Sequence, residues 1–119
     1  MLDSSKLDID ILIKPESLEK AYKIGAENGF DIRGLEMSFK ESAVEIRRVS
    51  KIDDTGEVLS LDLLLVTTQV QDVWETREKI DFLGKQLTVV SLTGLIKMKT
   101  LAGRPQDLAD IERLENEEG

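Results

Sequence analysis

The chain is 119 residues long, the size of one ordinary domain, and its composition excludes several kinds of chemistry. It contains no Cys and no His, which rules out disulfides, zinc sites of the usual kind and catalytic triads with an imidazole base. The formal net charge of -8 argues against a broad basic surface for nucleic acid. Any chemistry here therefore depends on carboxylates, Lys, Arg and hydroxyl groups.

No apolar run approaches the length of a membrane helix, which predicts a protein without a membrane partner. The first five residues, Met1–Ser5, show no basic segment followed by an apolar stretch. The expectation is therefore a cytoplasmic protein that forms a single domain over residues 1–119.

The first half of the chain predicts a strand, a helix and a shorter strand in that order. Lys6–Ile13 alternates and then becomes wholly apolar, which is typical of a strand entering a buried sheet. Pro15 favours a helix start, and Asn28 with Gly29 favours its end, because both residues tolerate the left-handed cap conformation. A short strand is expected around residues 31–35.

The second half predicts a hairpin, then helices around one more strand. Turn residues at 53–56 join two strand patterns, and a short helical pattern covers residues 71–79. Residues 82–90 indicate a turn followed by a strand, Ser91 caps a helix over 92–101, and Pro105 begins the last helix. The fold class predicted is α+β, with a mixed β-sheet flanked by helices.

Asp8 and Asp10 are the first candidates for a functional role. Residues two apart on a strand share a face, so both carboxylates point the same way. A hard divalent metal is the usual means of holding two close anions together. The alternative is the solvated face of an ordinary strand, since Asp-x-Asp is a short and common pattern.

Asp62 is a third carboxylate, and it lies in the largely apolar run 58–66. An unpaired buried carboxylate is costly, so something should compensate its charge. If its strand lies beside the first strand, Asp62 joins Asp8 and Asp10 around Mg²⁺, an arrangement suited to nucleotidyl or phosphoryl transfer. The alternative is that Asp62 faces solvent on an edge strand. Arg47 and Arg48 alternate across their own strand, so neither is assigned.

A second group of charged residues lies near the C-terminus: Lys97, Lys99, Arg104, Asp107 and Asp110. Helix dipoles alone favour cations at the end of one helix and carboxylates at the start of the next. The functional alternative places Lys97 or Lys99 and Arg104 on triphosphate oxygens, with Asp107 holding one of these cations in position.

Together these segments resemble the small nucleotidyltransferases of the DNA polymerase β superfamily. The residues that carry the resemblance are Lys6–Ile13, Leu61–Leu64, Val89–Lys99 and Ala102–Ile111. The group most similar includes lincosamide nucleotidyltransferases and the nucleotidyltransferase components of abortive-infection and toxin–antitoxin systems. The resemblance implies that Asp8, Asp10 and Asp62 are catalytic metal ligands, with Asp62 acting as ligand or base. It also implies that Lys97 or Lys99, Arg104 and Asp107 lie near the nucleotide.

The sequence departs from this family at its beginning. Family members carry a helix and a Gly-Gly or Gly-Ser turn about ten residues before the paired aspartates, and its amides hold the nucleotide phosphates. Only Met1–Leu7 precede Asp8, and no glycine is among them. The expectation is a reduced member or a chain that begins inside a longer protein. Apolar sheet surface left without that helix predicts a homodimer.

The resemblance implies a Mg²⁺-dependent nucleotidyltransferase that transfers a nucleoside monophosphate from a nucleoside triphosphate to a hydroxyl acceptor. One alternative is an inactive homologue that serves as an antitoxin-like or dimeric binding module, which the acidic charge and the missing glycine turn favour. A second alternative is a Mg²⁺-dependent hydrolase or nuclease with an unrelated carboxylate site.

Overall fold

The computed structural model describes residues 7–118, and for residues 7, 8, 117 and 118 it describes the backbone alone. In this part of the chain there are six strands and four helices. The strands are β1 (Leu7–Ile13), β2 (Ile32–Phe39), β3 (Val44–Ile52), β4 (Val58–Leu65), β5 (Glu78–Phe82) and β6 (Lys85–Val89). The helices are α1 (Leu18–Glu27), α2 (Gln71–Glu75), α3 (Leu92–Ala102) and α4 (Pro105–Glu118).

The chain divides into two compact units. Among the described residues, the first consists of residues 7–38 and 45–66, and the second of residues 39–44 and 67–118. The first unit therefore contains β1, α1, β4 and most of β2 and β3, whereas the second contains α2, β5, β6, α3 and α4. The predicted class is confirmed, since the fold is α+β with a mixed sheet and helices.

The main sheet has four strands in the order β1-β4-β3-β2. β1 runs parallel to β4, and β3 runs antiparallel to β4. The β3–β4 hairpin forms as its turn residues predict. The Asp53 carboxylate accepts hydrogen bonds from the backbone amides of Thr55 (2.8 Å) and Glu57 (3.0 Å), and Gly56 supplies a φ of 88°. β4 is therefore an internal strand with a neighbour on each side.

Helix α1 packs on one face of this sheet. A 3₁₀ turn over Pro15–Ser17 leads into α1, and the chain leaves it through Asn28 and Gly29, as predicted. Gly25 is the buried residue of α1; a Cβ there would lie 3.8 Å from Val49 Cγ2. Val49 is 1% exposed, which identifies its side of β3 as the face that the helix covers.

The second unit contains a separate two-stranded sheet and the last two helices. β5 and β6 pair antiparallel, with Glu78 opposite Val89 at one end and Phe82 opposite Lys85 at the other. The helical pattern predicted over residues 71–79 is wrong in its second half, because α2 ends at Glu75 and β5 begins at Glu78. Cross-strand pairing with β6 stabilises β5, whose charged residues gave no strand pattern in the sequence.

Helix α3 begins at the Ser91 cap that the sequence predicted, and it ends at a glycine. The amide of Gly94 donates a 3.0 Å hydrogen bond to Ser91 Oγ at the N-terminal end. At the other end Gly103 takes a left-handed conformation with φ 65°, and Pro105 starts α4. No helix in residues 7–118 is long and apolar enough to cross a membrane.

Candidate functional site

Asp10 of β1 and Asp62 of β4 are register partners across two parallel strands. Paired residues on neighbouring strands point to the same face of the sheet, and the strands lie about 4.8 Å apart. Asp10 is exposed, whereas Asp62 is 5% exposed at the centre of the sheet. The expectation that the strand bearing Asp62 lies beside the first strand is therefore confirmed, and two carboxylates share one face.

Asp8 lies two residues earlier on β1, at the register position opposite Ser60. Its side chain lies outside the described residues. Among the side chains that the structure describes, no three carboxylates come together as a metal-binding group. The cluster of Asp8, Asp10 and Asp62 therefore stays a prediction. The structure describes only the register of the β1 and β4 backbones that carry these residues.

The buried charge of Asp62 is compensated by Arg48. The Nε atom of Arg48 donates to Asp62 Oδ1 at 2.7 Å, and its Nη2 atom donates to Oδ2 at 3.0 Å. This two-pronged geometry is the strongest form of an arginine–carboxylate pair. The alternative that Asp62 faces solvent on an edge strand is wrong, because β4 is internal and its carboxylate is buried.

The register of β3 against β4 explains why Arg48, and not Arg47, holds this carboxylate. Arg48 is the register partner of Asp62, and Arg47 points to the opposite face, where it pairs with Glu45 at 3.1 Å. Sequence alternation shows that only one of the two arginines reaches the site. It does not show which one, because that choice depends on the alignment of the two strands.

The pair of Arg104 and Asp107 forms the centre of the second charged cluster, where α3 meets α4. Asp107 is 2% exposed. Its carboxylate accepts hydrogen bonds from Arg104 Nε at 2.6 Å, from Arg104 Nη2 at 3.1 Å and from the Arg104 backbone amide at 3.2 Å. Arg104 also lies over the ring of Phe39, 5.2 Å from its centroid. Asp107 therefore binds Arg104 through both of its carboxylate oxygens, and the role of this pair toward a nucleotide stays a prediction.

Lys99 belongs to the same cluster. Its Nζ atom lies 3.0 Å from Asp110 Oδ2 and 3.8 Å from Asp107 Oδ1, and its side chain is 17% exposed. These contacts join the last turn of α3 to the first turns of α4. Favourable charges at the ends of two consecutive helices, the alternative to a nucleotide-binding role, are sufficient to explain these contacts.

Lys97 points away from that cluster and binds Asp72 of α2. The distance from Lys97 Nζ to Asp72 Oδ1 is 2.7 Å. This hydrogen bond lowers the pKa of Asp72 below its ordinary value, because it stabilises the charged carboxylate. The side chain of Lys97 is 39% exposed, the highest value among the three predicted nucleotide-binding cations, since Lys99 shows 17% and Arg104 24%. Lys97 is thus the cation most accessible to a ligand.

A cavity of about 370 Å³ lies beside this ion pair, at the N-terminal end of α3. Its polar side chains are those of Asp72, Thr76, Glu78, Ser91, Thr93 and Lys97. The lining thus contains two carboxylates and one lysine, and this lysine is bound to Asp72.

No protein-family model matches the chain, and no curated protein sequence matches it. The resemblance to nucleotidyltransferases therefore depends on the residues named in this sequence.

Proposed function

We propose that the chain is a Mg²⁺-dependent nucleotidyltransferase-like protein that transfers a nucleoside monophosphate from a nucleoside triphosphate to a hydroxyl acceptor. The observation that supports this proposal best is the register of Asp10 with Asp62 on adjacent parallel strands. It puts two carboxylates of the predicted metal-binding set on one face of the sheet. The hydroxyl acceptor is a group on a small molecule, a protein or an RNA end.

The donor set fits a magnesium site in chemical type. Mg²⁺ prefers oxygen ligands and is usually bound through one or two carboxylates together with substrate phosphates. Arg48 engages each oxygen of Asp62 once. A carboxylate oxygen has two acceptor positions, so each oxygen of Asp62 keeps one for a metal or a proton.

In the proposed reaction the acceptor hydroxyl attacks the α-phosphorus of the nucleoside triphosphate, the bond to pyrophosphate breaks, and the hydroxyl proton passes to a base, the role that the resemblance offers to Asp62, or to water. A bound Mg²⁺ would neutralise the phosphate oxygens and lower the pKa of the attacking hydroxyl. Asp10 and Asp62 would hold it, with Asp8 as the third carboxylate of the prediction. The nucleotide-binding role that the resemblance implies for Lys97, Lys99, Arg104 and Asp107, all in the second unit, stays a prediction.

Calorimetry with Mg²⁺ and ATP tests this proposal. The wild-type chain is expected to bind MgATP, and Asp10→Ala is expected to weaken binding by tenfold or more, on the order of one lost charged ligand. Asp81→Ala is the matched control, because Asp81 is an exposed aspartate on a strand of the other sheet. Equal heats for all three proteins would contradict the metal site.

The second candidate function is a non-catalytic binding module related to these enzymes. It is favoured by the internal pairing of both buried carboxylates, Asp62 by Arg48 and Asp107 by Arg104. A chain of this kind would bind neither Mg²⁺ nor ATP in the same calorimetric series, and it would remain folded when both are withheld. The homodimer and the hydrolase alternative stay predictions.

A further inference from the structure

Arg48 presents a fixed positive charge beside the proposed cation site. Its guanidinium group is bound through two hydrogen bonds to a carboxylate that is 6% exposed, and 37% of its own side chain remains exposed. Register pairing of β3 with β4 puts both residues at the same level of the sheet. The strand register and the two hydrogen bonds together hold this charge beside Asp62.

Asp62 lies between two different neighbours in a row across three strands. Its register partner on β3 is Arg48, and its register partner on β1 is Asp10. A divalent cation held by Asp10 and Asp62 would lie a few ångströms from the guanidinium group. Two cations would then share one buried carboxylate, and each would lower the affinity of Asp62 for the other.

We propose that Arg48 is a positioning residue that fixes the plane of the Asp62 carboxylate and competes with the divalent cation for it. Arg48 thereby weakens the binding of free metal at this site. Its two hydrogen bonds also keep the Asp62 carboxylate oriented and partnered when no metal is bound, since a buried carboxylate without a cationic partner is costly. This inference rests on the proposed function, because it requires the cation site at Asp10 and Asp62.

The test is a Mn²⁺ titration followed by electron paramagnetic resonance at constant ionic strength. Arg48→Gln removes the positive charge, so it is expected to tighten Mn²⁺ binding by about ten- to thirtyfold, the size of the repulsion between a single and a double charge about 4 to 6 Å apart in water. Arg48→Lys keeps the charge and is expected to bind within about threefold of wild type.

The matched control is Lys51→Gln. Lys51 is another cation on β3, but it points to the opposite face, where its Nζ atom lies 4.7 Å from the centroid of the Phe30 ring. This variant loses the same charge and is expected to bind Mn²⁺ within about twofold of wild type. The comparison separates a local effect of Arg48 from a change in net charge.

A second measurement tests the proposal even if the Arg48→Gln variant is poorly folded without metal. Thermal unfolding followed by circular dichroism, with and without Mn²⁺, is expected to show a larger increase in Tm for Arg48→Gln than for wild type. The reason is that the metal replaces the missing positive charge beside Asp62.

The outcomes distinguish this inference from the proposed function. If wild type binds Mn²⁺ and Arg48→Gln binds it equally or more weakly, the competition by Arg48 is refuted and the metal site stands. If none of the four proteins binds Mn²⁺, the metal site itself is refuted. If Arg48→Gln binds Mn²⁺ more tightly than wild type, and Arg48→Lys and Lys51→Gln do not, the result supports both the metal site and the competition by Arg48.

Discussion

The ion pair of Arg48 and Asp62 determines how much substitutions at these two positions lower the free energy of unfolding. In the absence of metal, Arg48→Met leaves the buried carboxylate without its partner, and we expect a loss of about 2 to 4 kcal/mol in the free energy of unfolding. Arg48→Met combined with Asp62→Leu removes both charges and is expected to return to within about 1 kcal/mol of wild type. Urea unfolding of the three proteins measures this. Equal losses in the single and double variants would show that packing, and not charge, is responsible.

This pair also shows how far the sequence predicts the site. A lone carboxylate in the apolar run 58–66 predicts a buried charge with a compensating partner, and both expectations are confirmed. The identity of the partner depends on the register of β3 with β4. Shifting the alignment by one residue would present Arg47 to Asp62 instead. The turn at residues 53–56 closes this hairpin, but its exact loop geometry, and hence the register, is not evident from residue types.

At the same scale, the hydrogen bond from Lys97 gives Asp72 a lowered pKa in the folded chain. A lowered pKa means that the interaction stabilises the fold at pH values above the ordinary pKa of aspartate. This contribution is lost as the pH falls through the lowered value. We expect Lys97→Met to raise the pKa of Asp72 towards its ordinary value, as followed by NMR of the side-chain carboxyl carbon. Lys85→Met, at an exposed lysine of β6, should leave that titration unchanged.

At the scale of elements, two helix glycines differ in the space around them. A Cβ at Gly94 of α3 would lie 2.9 Å from Val73 Cγ1 and 3.0 Å from Val90 Cγ1, whereas the closest atom to a Cβ at Gly25 of α1 would be 3.6 Å away. Gly94→Ala is therefore expected to destabilise the chain by about 1 to 3 kcal/mol through overpacking. Gly25→Ala should gain about 0.5 to 1 kcal/mol, since alanine favours a helix.

Urea unfolding of these two alanine variants checks both signs. A gain in both variants would mean that α2 and α3 separate easily enough to admit a methyl group at position 94. The close approach also explains why α3 lacks an acidic residue at this position of its first turn. The N-terminal cap then relies on Ser91 alone, whose Oγ atom accepts the amide hydrogen of Gly94.

Elements with a strong local signal were predictable, and the one whose stability comes from a partner was not. β1 and α1 follow from an apolar run and from Pro15 at the start of the helical segment. β5, by contrast, consists of five residues that are all exposed, two of them acidic and one basic. Such a segment lacks the buried face that reveals a strand, so it forms because β6 pairs with it.

At the scale of the whole molecule, the net charge of -8 opposes the compact state through self-repulsion. Raising the NaCl concentration from about 10 to 150 mM shortens the Debye length from about 30 to 8 Å, so we expect Tm to rise by a few degrees. If the proposed site at Asp10 and Asp62 binds Mg²⁺, MgCl₂ at the same ionic strength should raise Tm further. Screening by salt raises the Tm of any acidic chain. Only the difference between the Tm in MgCl₂ and the Tm in NaCl therefore indicates a specific binding site.

That difference is expected to disappear in Asp10→Asn and to persist in Asp31→Asn. Asp31 is an exposed aspartate between α1 and β2, so both substitutions change the net charge equally. Asp10→Asn also leaves the pair of Arg48 and Asp62 in place, which an Asp62 substitution would not. Differential scanning calorimetry of the three proteins in each salt measures the effect. If the excess stabilisation by MgCl₂ is the same in all three, magnesium acts on this molecule through its total charge and not through Asp10.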